Sequence, residues 1–171
     1  SAAMPQIMKK SGIDTFVTSK ISWNDTNAMP YDSFMWRGID GTEILTHFLN
    51  AKDYNSTHHF ATYNAMLNPK HVMGSWQTYK QKDINNESIV SFGYGDGGGG
   101  PTREMLEFST RMEKGIPGCP TVKKGKIIDF FRNLDENMSK AKHVPKWVGE
   151  LYLEFHRGTY TSMARNKRGN R

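Results

Sequence analysis

Disulfides, membrane spans and zinc-finger spacings are all missing from this chain. One cysteine, Cys119, in 171 residues permits no internal disulfide, so nothing ties the fold to an oxidising compartment. The opening residues carry no basic-then-apolar leader, which favours a cytoplasmic setting while leaving the compartment open. No apolar run approaches the ~20 residues that a helix needs to cross hydrocarbon, so no membrane partner is expected. Metal-finger spacing is absent, and the adjacent His58 and His59 would point to opposite faces of an extended chain. There is no GxxxxGK[ST] phosphate loop. The GxGxxG pattern spelled by Gly95, Gly97 and Gly100 arises by default inside a glycine run. Cys119, alone between two prolines, is a weak candidate nucleophile.

Acidic residues are also in the minority, 17 against 23 basic ones, for a formal charge of +6. The excess gathers at Lys123, Lys124 and Lys126 and again at Arg165, Lys167, Arg168 and Arg171. Charge spread in this way is a solvated face rather than a binding stripe, so no nucleic-acid partner is expected.

What the chain does have is length for one real core and a good supply of aromatics and methionines to fill it. Residues 4–11 predict a short helix stopped by Gly12, and the β-branched, aromatic run 15–23 a strand. Residues 34–39 predict a second strand, Asp40-Gly41 a turn, and 42–49 a strand or short helix. Helices are expected over 75–83, from 103 to Gly115 with Thr102 as cap, and over 126–138. Residues 61–67 fall in an ambiguous stretch with some helical character, and 87–95 and 147–156 read as strands. Alternating strands and helices indicate an α/β fold with a largely parallel sheet, whose ligands meet loops at the carboxyl ends of strands.

Three polar loops follow predicted strands. WRGIDG carries Trp36, Arg37 and Asp40; GYGDGGGGPT carries Asp96; FHRGTYTS carries His156, Arg157 and Tyr160. Glycine loses more backbone entropy on folding than any other residue, so a run of it implies positive φ or close approach. A carboxylate set among aromatics, hydroxyls and glycines suits sugar chemistry: aromatic rings stack on pyranose faces, and a protonated carboxyl serves the glycosidic oxygen. A module that binds carbohydrate without catalysis would use the same inventory and is the alternative reading.

The strings SWNDTNAMPYDSFMWRGIDGT, GYGDGGGGPT and ELYLEFHRGTYTS, in this order and spanning nearly the whole chain, resemble the glycoside hydrolase family 38 α-mannosidases. The likeness is strongest to the bacterial and yeast-vacuolar type. It implies part of a seven-stranded (β/α) barrel and a retaining enzyme that removes terminal α-mannose from glycans or oligosaccharides with a zinc ion. On that resemblance Asp96 is the acid/base, Lys20 falls where Golgi-type relatives place an arginine near the nucleophile, and His156, Arg157 and Tyr160 fall in a sugar-lining segment. Trp36 and Asp40 are further substrate-binding candidates. The family's nucleophile and zinc ligands map outside residues 1–171. The chain therefore reads as an internal fragment, the central and C-terminal part of a catalytic barrel truncated at both ends, whose parent's oligomeric state is open.

Overall fold

The computed structural model describes residues 1–152, 155 and 164–170. Helix α1 (Met4–Lys10) begins with Pro5 in its first turn and stops where Gly12 turns with φ +78°. Strand β1 (Thr15–Thr18) is shorter than its β-branched run, because residues Lys20–Ser22 close into a 3₁₀ turn. Strands β2 (Ser33–Arg37) and β3 (Glu43–Phe48) form a hairpin, and β4 (Lys146–Val148) completes a sheet ordered β1-β3-β2-β4. Between them come α2 (Pro69–Thr78), α3 (Arg103–Met112) and α4 (Ile127–Lys140); α5 (Ala164–Gly169) follows. Among the described residues no helix is long and apolar enough to cross a membrane.

The sheet is mixed, with two parallel pairings and one antiparallel pairing. β1 runs parallel to β3 and β4 parallel to β2, but β2 and β3 are antiparallel, pairing Ser33 with His47 and Arg37 with Glu43. The short turn at Asp40-Gly41 dictates this, since a parallel pair needs a far longer crossover. Residues 87–95 are no strand of the sheet. They are held by isolated bridges, Ala65 to Phe92 and Tyr94 to Gly100, while Val90 and Phe92 pack on Leu67, Val72 and Met112. Residues 61–67 are not helical. Helix α2 starts six residues earlier than 75, because Asn68 accepts the His71 N–H (2.9 Å) and Pro69 occupies the first helical position. The expected cap of α3 is present, with Thr102 Oγ1 accepting from Met105 N–H at 3.2 Å.

Side chains alternate across the sheet with period two. One face carries Phe16, Phe34, Trp36 and Phe48 against Ile21, Trp147 and Leu151. The other carries Val17, Met35 and Leu45, covered by Phe131, Leu134 and Met138 of α4 at i, i+3 and i+7. His47 is on this second face and fully buried. Its Nδ1 is 2.8 Å from the Ser33 hydroxyl, its ring meets Phe130, and its Nε2 has no hydrogen-bond partner among the described residues.

Burial holds the His47 imidazole far below its ordinary 6.5, at about 3. A base depressed in the folded state contributes stability that is present above 6.5 and lost as pH falls towards 3, because only the unfolded chain takes the proton. His47→Asn should flatten this dependence: between pH 7 and 5 its urea midpoint should fall less than that of the wild type. Parallel losses in the two proteins would show that other groups govern the acid limb.

Candidate functional site

The register places the candidate residues at two ends of the sheet. The carboxyl ends of β1 and β3, at Thr18 and Phe48, coincide with the amino end of β2; the Asp40 turn is at the other end. There Asp40 accepts the Thr42 N–H (3.1 Å) and hydroxyl (2.7 Å), which hold its exposed carboxyl below the usual range. It shapes the hairpin turn. Trp36 requires a correction. It is 2 % exposed, its ring lies 5.3 Å from Phe16, and its indole N–H donates to Gly149 C=O at 2.7 Å. No face of this ring is open to a sugar. His156, Arg157 and Tyr160 lie outside the described residues.

Lys20 and Asp96 are brought together, through residues that sequence reasoning passed over. Lys20 leaves the end of β1 and sets its Nζ 4.0 Å from the Trp23 ring centroid and 5.5 Å from that of Tyr63. Tyr63 donates its hydroxyl to Asp96 Oδ1. The acceptor carboxylate stabilises the protonated phenol, so the Tyr63 hydroxyl is pushed above its usual range.

The glycine run is a closed loop rather than a slack one. Tyr94 and Gly100 exchange backbone hydrogen bonds of 2.8 and 2.7 Å across its neck. Three glycines have steric reasons. A Cβ on Gly95 would stand 2.6 Å from the Tyr63 ring, one on Gly93 2.8 Å from the Pro101 nitrogen, and one on Gly99 2.9 Å from the Tyr94 Cβ. Asp96 itself adopts φ +59°, the left-handed region that few side chains enter without strain. The loop thus holds one exposed carboxylate at its tip, steadied by a phenol.

Beside this cluster the carboxyl ends of β1 and β3 open on a cavity of about 290 Å³, lined by Ser19, Ser22, Asn24, Asp32, Asn50 and Lys52 among others. Asp32 is buried and pairs with Lys80, whose Nζ is 3.3 Å and backbone N–H 2.8 Å from its oxygens. Burial raises the Asp32 carboxyl above the ordinary range, against the opposing pull of Lys80. Lys52 Nζ donates to the His58 carbonyl at 3.0 Å. Burial and the nearby Lys80 draw the Lys52 ammonium down.

Zinc was the cofactor implied by resemblance. Among the described residues no three His, Cys, Asp or Glu side chains converge as a metal site. His47 is spent on Ser33, and His71 accepts the Met66 N–H and faces Asp53. The described residues do not form the donor set.

The Tyr63–Asp96 bond should be visible in titration. In a selectively tyrosine-labelled sample, Asp96→Asn should let the Tyr63 phenol ionise at lower pH than in the wild type, followed by NMR. An unchanged Tyr63 titration would show that the bond is not made in solution.

Residues 1–150 match the family described as glycosyl hydrolases family 38 N-terminal domain. The chain is 44 % identical over its whole length to "Alpha-mannosidase G" of Dictyostelium discoideum, covering 14 % of that protein. It is 37 % identical to "Alpha-mannosidase" of Saccharomyces cerevisiae over 98 % of the chain, and 38 % identical to "Alpha-mannosidase 2C1" of Homo sapiens over all of it, covering 15 % of each. The chain therefore spans about one seventh of the length of these curated relatives. On the match across residues 1–150, this chain belongs to the glycosyl hydrolases family 38, within its N-terminal domain.

Proposed function

We propose that this chain is part of a retaining α-mannosidase that removes terminal α-linked mannose from glycans or oligosaccharides, with Asp96 as its acid/base. The observation that carries the reading is Asp96 itself. It is presented at the tip of a closed glycine loop, on a tyrosine hydroxyl, in a chain whose full-length relatives are named alpha-mannosidases.

The chemistry assigned to these residues is specific. In the first step Asp96 gives its proton to the glycosidic oxygen as the bond to the anomeric carbon breaks, and the nucleophile, supplied from outside this segment, takes that carbon. In the second step the same carboxylate takes a proton from water, which releases the sugar with its configuration retained. Tyr63 holds the carboxyl in one orientation through both steps, and the absence of side chains at the loop glycines leaves room for the leaving group. Lys20, poised on the Trp23 and Tyr63 rings, places a positive charge beside the site, where it would favour the ionised form of the nucleophile supplied from outside this segment. Zinc belongs to the same proposal as a cofactor of the parent enzyme, with donors from outside these residues.

The same reading makes the four-stranded sheet the central and C-terminal part of a seven-stranded (β/α) barrel. Its support is that β1 and β4 are the edges of the sheet and that Val148 of β4 and Ile7 of α1 are more than half exposed. Open edges and apolar surface of this kind are what further strands and helices of a barrel cover.

In the full-length parent, Asp96→Ala should reduce turnover of natural mannosides by roughly 10²–10⁴-fold. The loss should shrink for aryl mannosides with good leaving groups, which need no proton. Added azide should restore turnover and yield mannosyl azide of retained configuration. Equal losses on both substrate classes, with no response to azide, would assign Asp96 to sugar binding or loop bracing instead.

A further inference from the structure

Next to Lys20 and Trp23 lies a run of rings that the acid/base reading does not use. Trp23 and Phe60 have centroids 6.0 Å apart, and Phe60 in turn meets His58 (6.1 Å, stacked at 23°), His59 (5.8 Å) and Phe155 (5.6 Å). Buried ring clusters are ordinary core. These rings are not buried: His58 and His59 are exposed, Phe60 is half-buried, and Phe155 is 47 % exposed.

The loop that carries them is nevertheless tied down at several points. The Trp23 indole N–H donates to Ala61 C=O at 3.2 Å, and the Ala61 N–H donates to Ser22 Oγ at 2.9 Å. Thr62 N–H donates to Ala51 C=O at 2.8 Å, and Lys52 secures the His58 carbonyl. Asn55 and Gln77 exchange two hydrogen bonds of 3.0 and 2.8 Å, clamping the loop to α2. Solvent-facing aromatics on a restrained backbone lose little further entropy when something stacks on them.

Their position names the occupant. Tyr63, three residues beyond Phe60 on the same loop, holds Asp96, and Lys20 bridges Tyr63 to Trp23, the ring next to Phe60. The rings are therefore linked, through Trp23, Lys20 and Tyr63, to the carboxyl assigned to the glycosidic oxygen. On the acid/base reading, whatever leaves with that oxygen leaves beside that carboxyl. Pyranoses present flat faces of C–H groups, the chemistry that aromatic faces cover.

We propose that His58 and Phe60, continued by Phe155, form a stacking ledge for the leaving-group sugar, and so decide which mannosides are accepted. This rests on the mannosidase reading above. The experiment compares, in the full-length parent, a panel of differently linked α-mannobioses with α-mannosyl fluoride, whose leaving group has no sugar to stack. For His58→Ala and for Phe60→Ala, the ratio of kcat/KM on the best mannobiose to that on the fluoride should fall roughly tenfold to a hundredfold. Phe60→Tyr, which keeps a ring, should restore most of that ratio. His58 is exposed, so its variant keeps the test open if Phe60→Ala fails to fold. A ratio that stays at the wild-type value in His58→Ala and Phe60→Tyr alike, with fluoride turnover intact, overturns the ledge and leaves the mannosidase reading standing. A wild-type parent inert on both substrates overturns the mannosidase reading, and the ledge with it.

Discussion

The structure depends on a buried polar node at the meeting point of β2, β3 and the exit of α2. Gln81 Oε1 accepts the backbone N–H groups of Asp32 and Ser33 at 2.6 and 2.9 Å, where β2 begins. The Ser33 hydroxyl lies 2.8 Å from His47 Nδ1 and 2.9 Å from the Tyr79 hydroxyl. Asn85 reaches Tyr79 and is itself bonded by Asn137 of α4 at 2.9 Å. Burying this many polar groups is tolerable only because nearly all are paired, and removing one member would leave others stranded in an apolar interior. The node joins the hairpin to α4 and to the segment after α2.

From that anchor the functional end of the sheet is set. Since β3 is held at His47, the chain leaves it at a defined place and enters the loop that carries Lys52, His58, Phe60 and Tyr63. Helix α2 returns underneath, and Gly74 permits the contact: a Cβ there would stand 2.0 Å from the Lys52 carbonyl oxygen. The glycine loop then reaches Tyr63 from the other side. Two segments more than thirty residues apart thus meet at a hydroxyl and a carboxylate. The polar interior continues to the surface as the cavity beside Asp32 and Lys80.

Much of the local structure was legible in residue order. Thr102 before an amphipathic run, Gly12 after a short one, and the apolar spacing of residues 127–138 each carry their own physical signal, and the helices follow them. Strand content misled at residues 87–95. Val90 and Phe92 are apolar because they pack on Leu67, Val72 and Met112, and a half-buried extended segment has the same composition as a strand without pairing like one. The direction of β2 was implicit in the brevity of the Asp40-Gly41 turn, although alternating strands and helices suggested a parallel sheet. That difference put Asp40 at the far end of the sheet, while the alternation of side chains along β2 put Trp36 in the core.

Sequence by itself determined the family, the glycine loop with its single carboxylate, and the candidacy of Asp96 and Lys20, because those features are contiguous strings. Only the tertiary structure decided which of the candidates stand together. Tyr63 sits in a stretch with no clear periodicity, and nothing local marks it as the partner of Asp96. Its role comes from a long-range approach in which its ring occupies the space that a side chain on Gly95 would need. A glycine in sequence says only that a side chain is absent; what fills that space is settled by the fold.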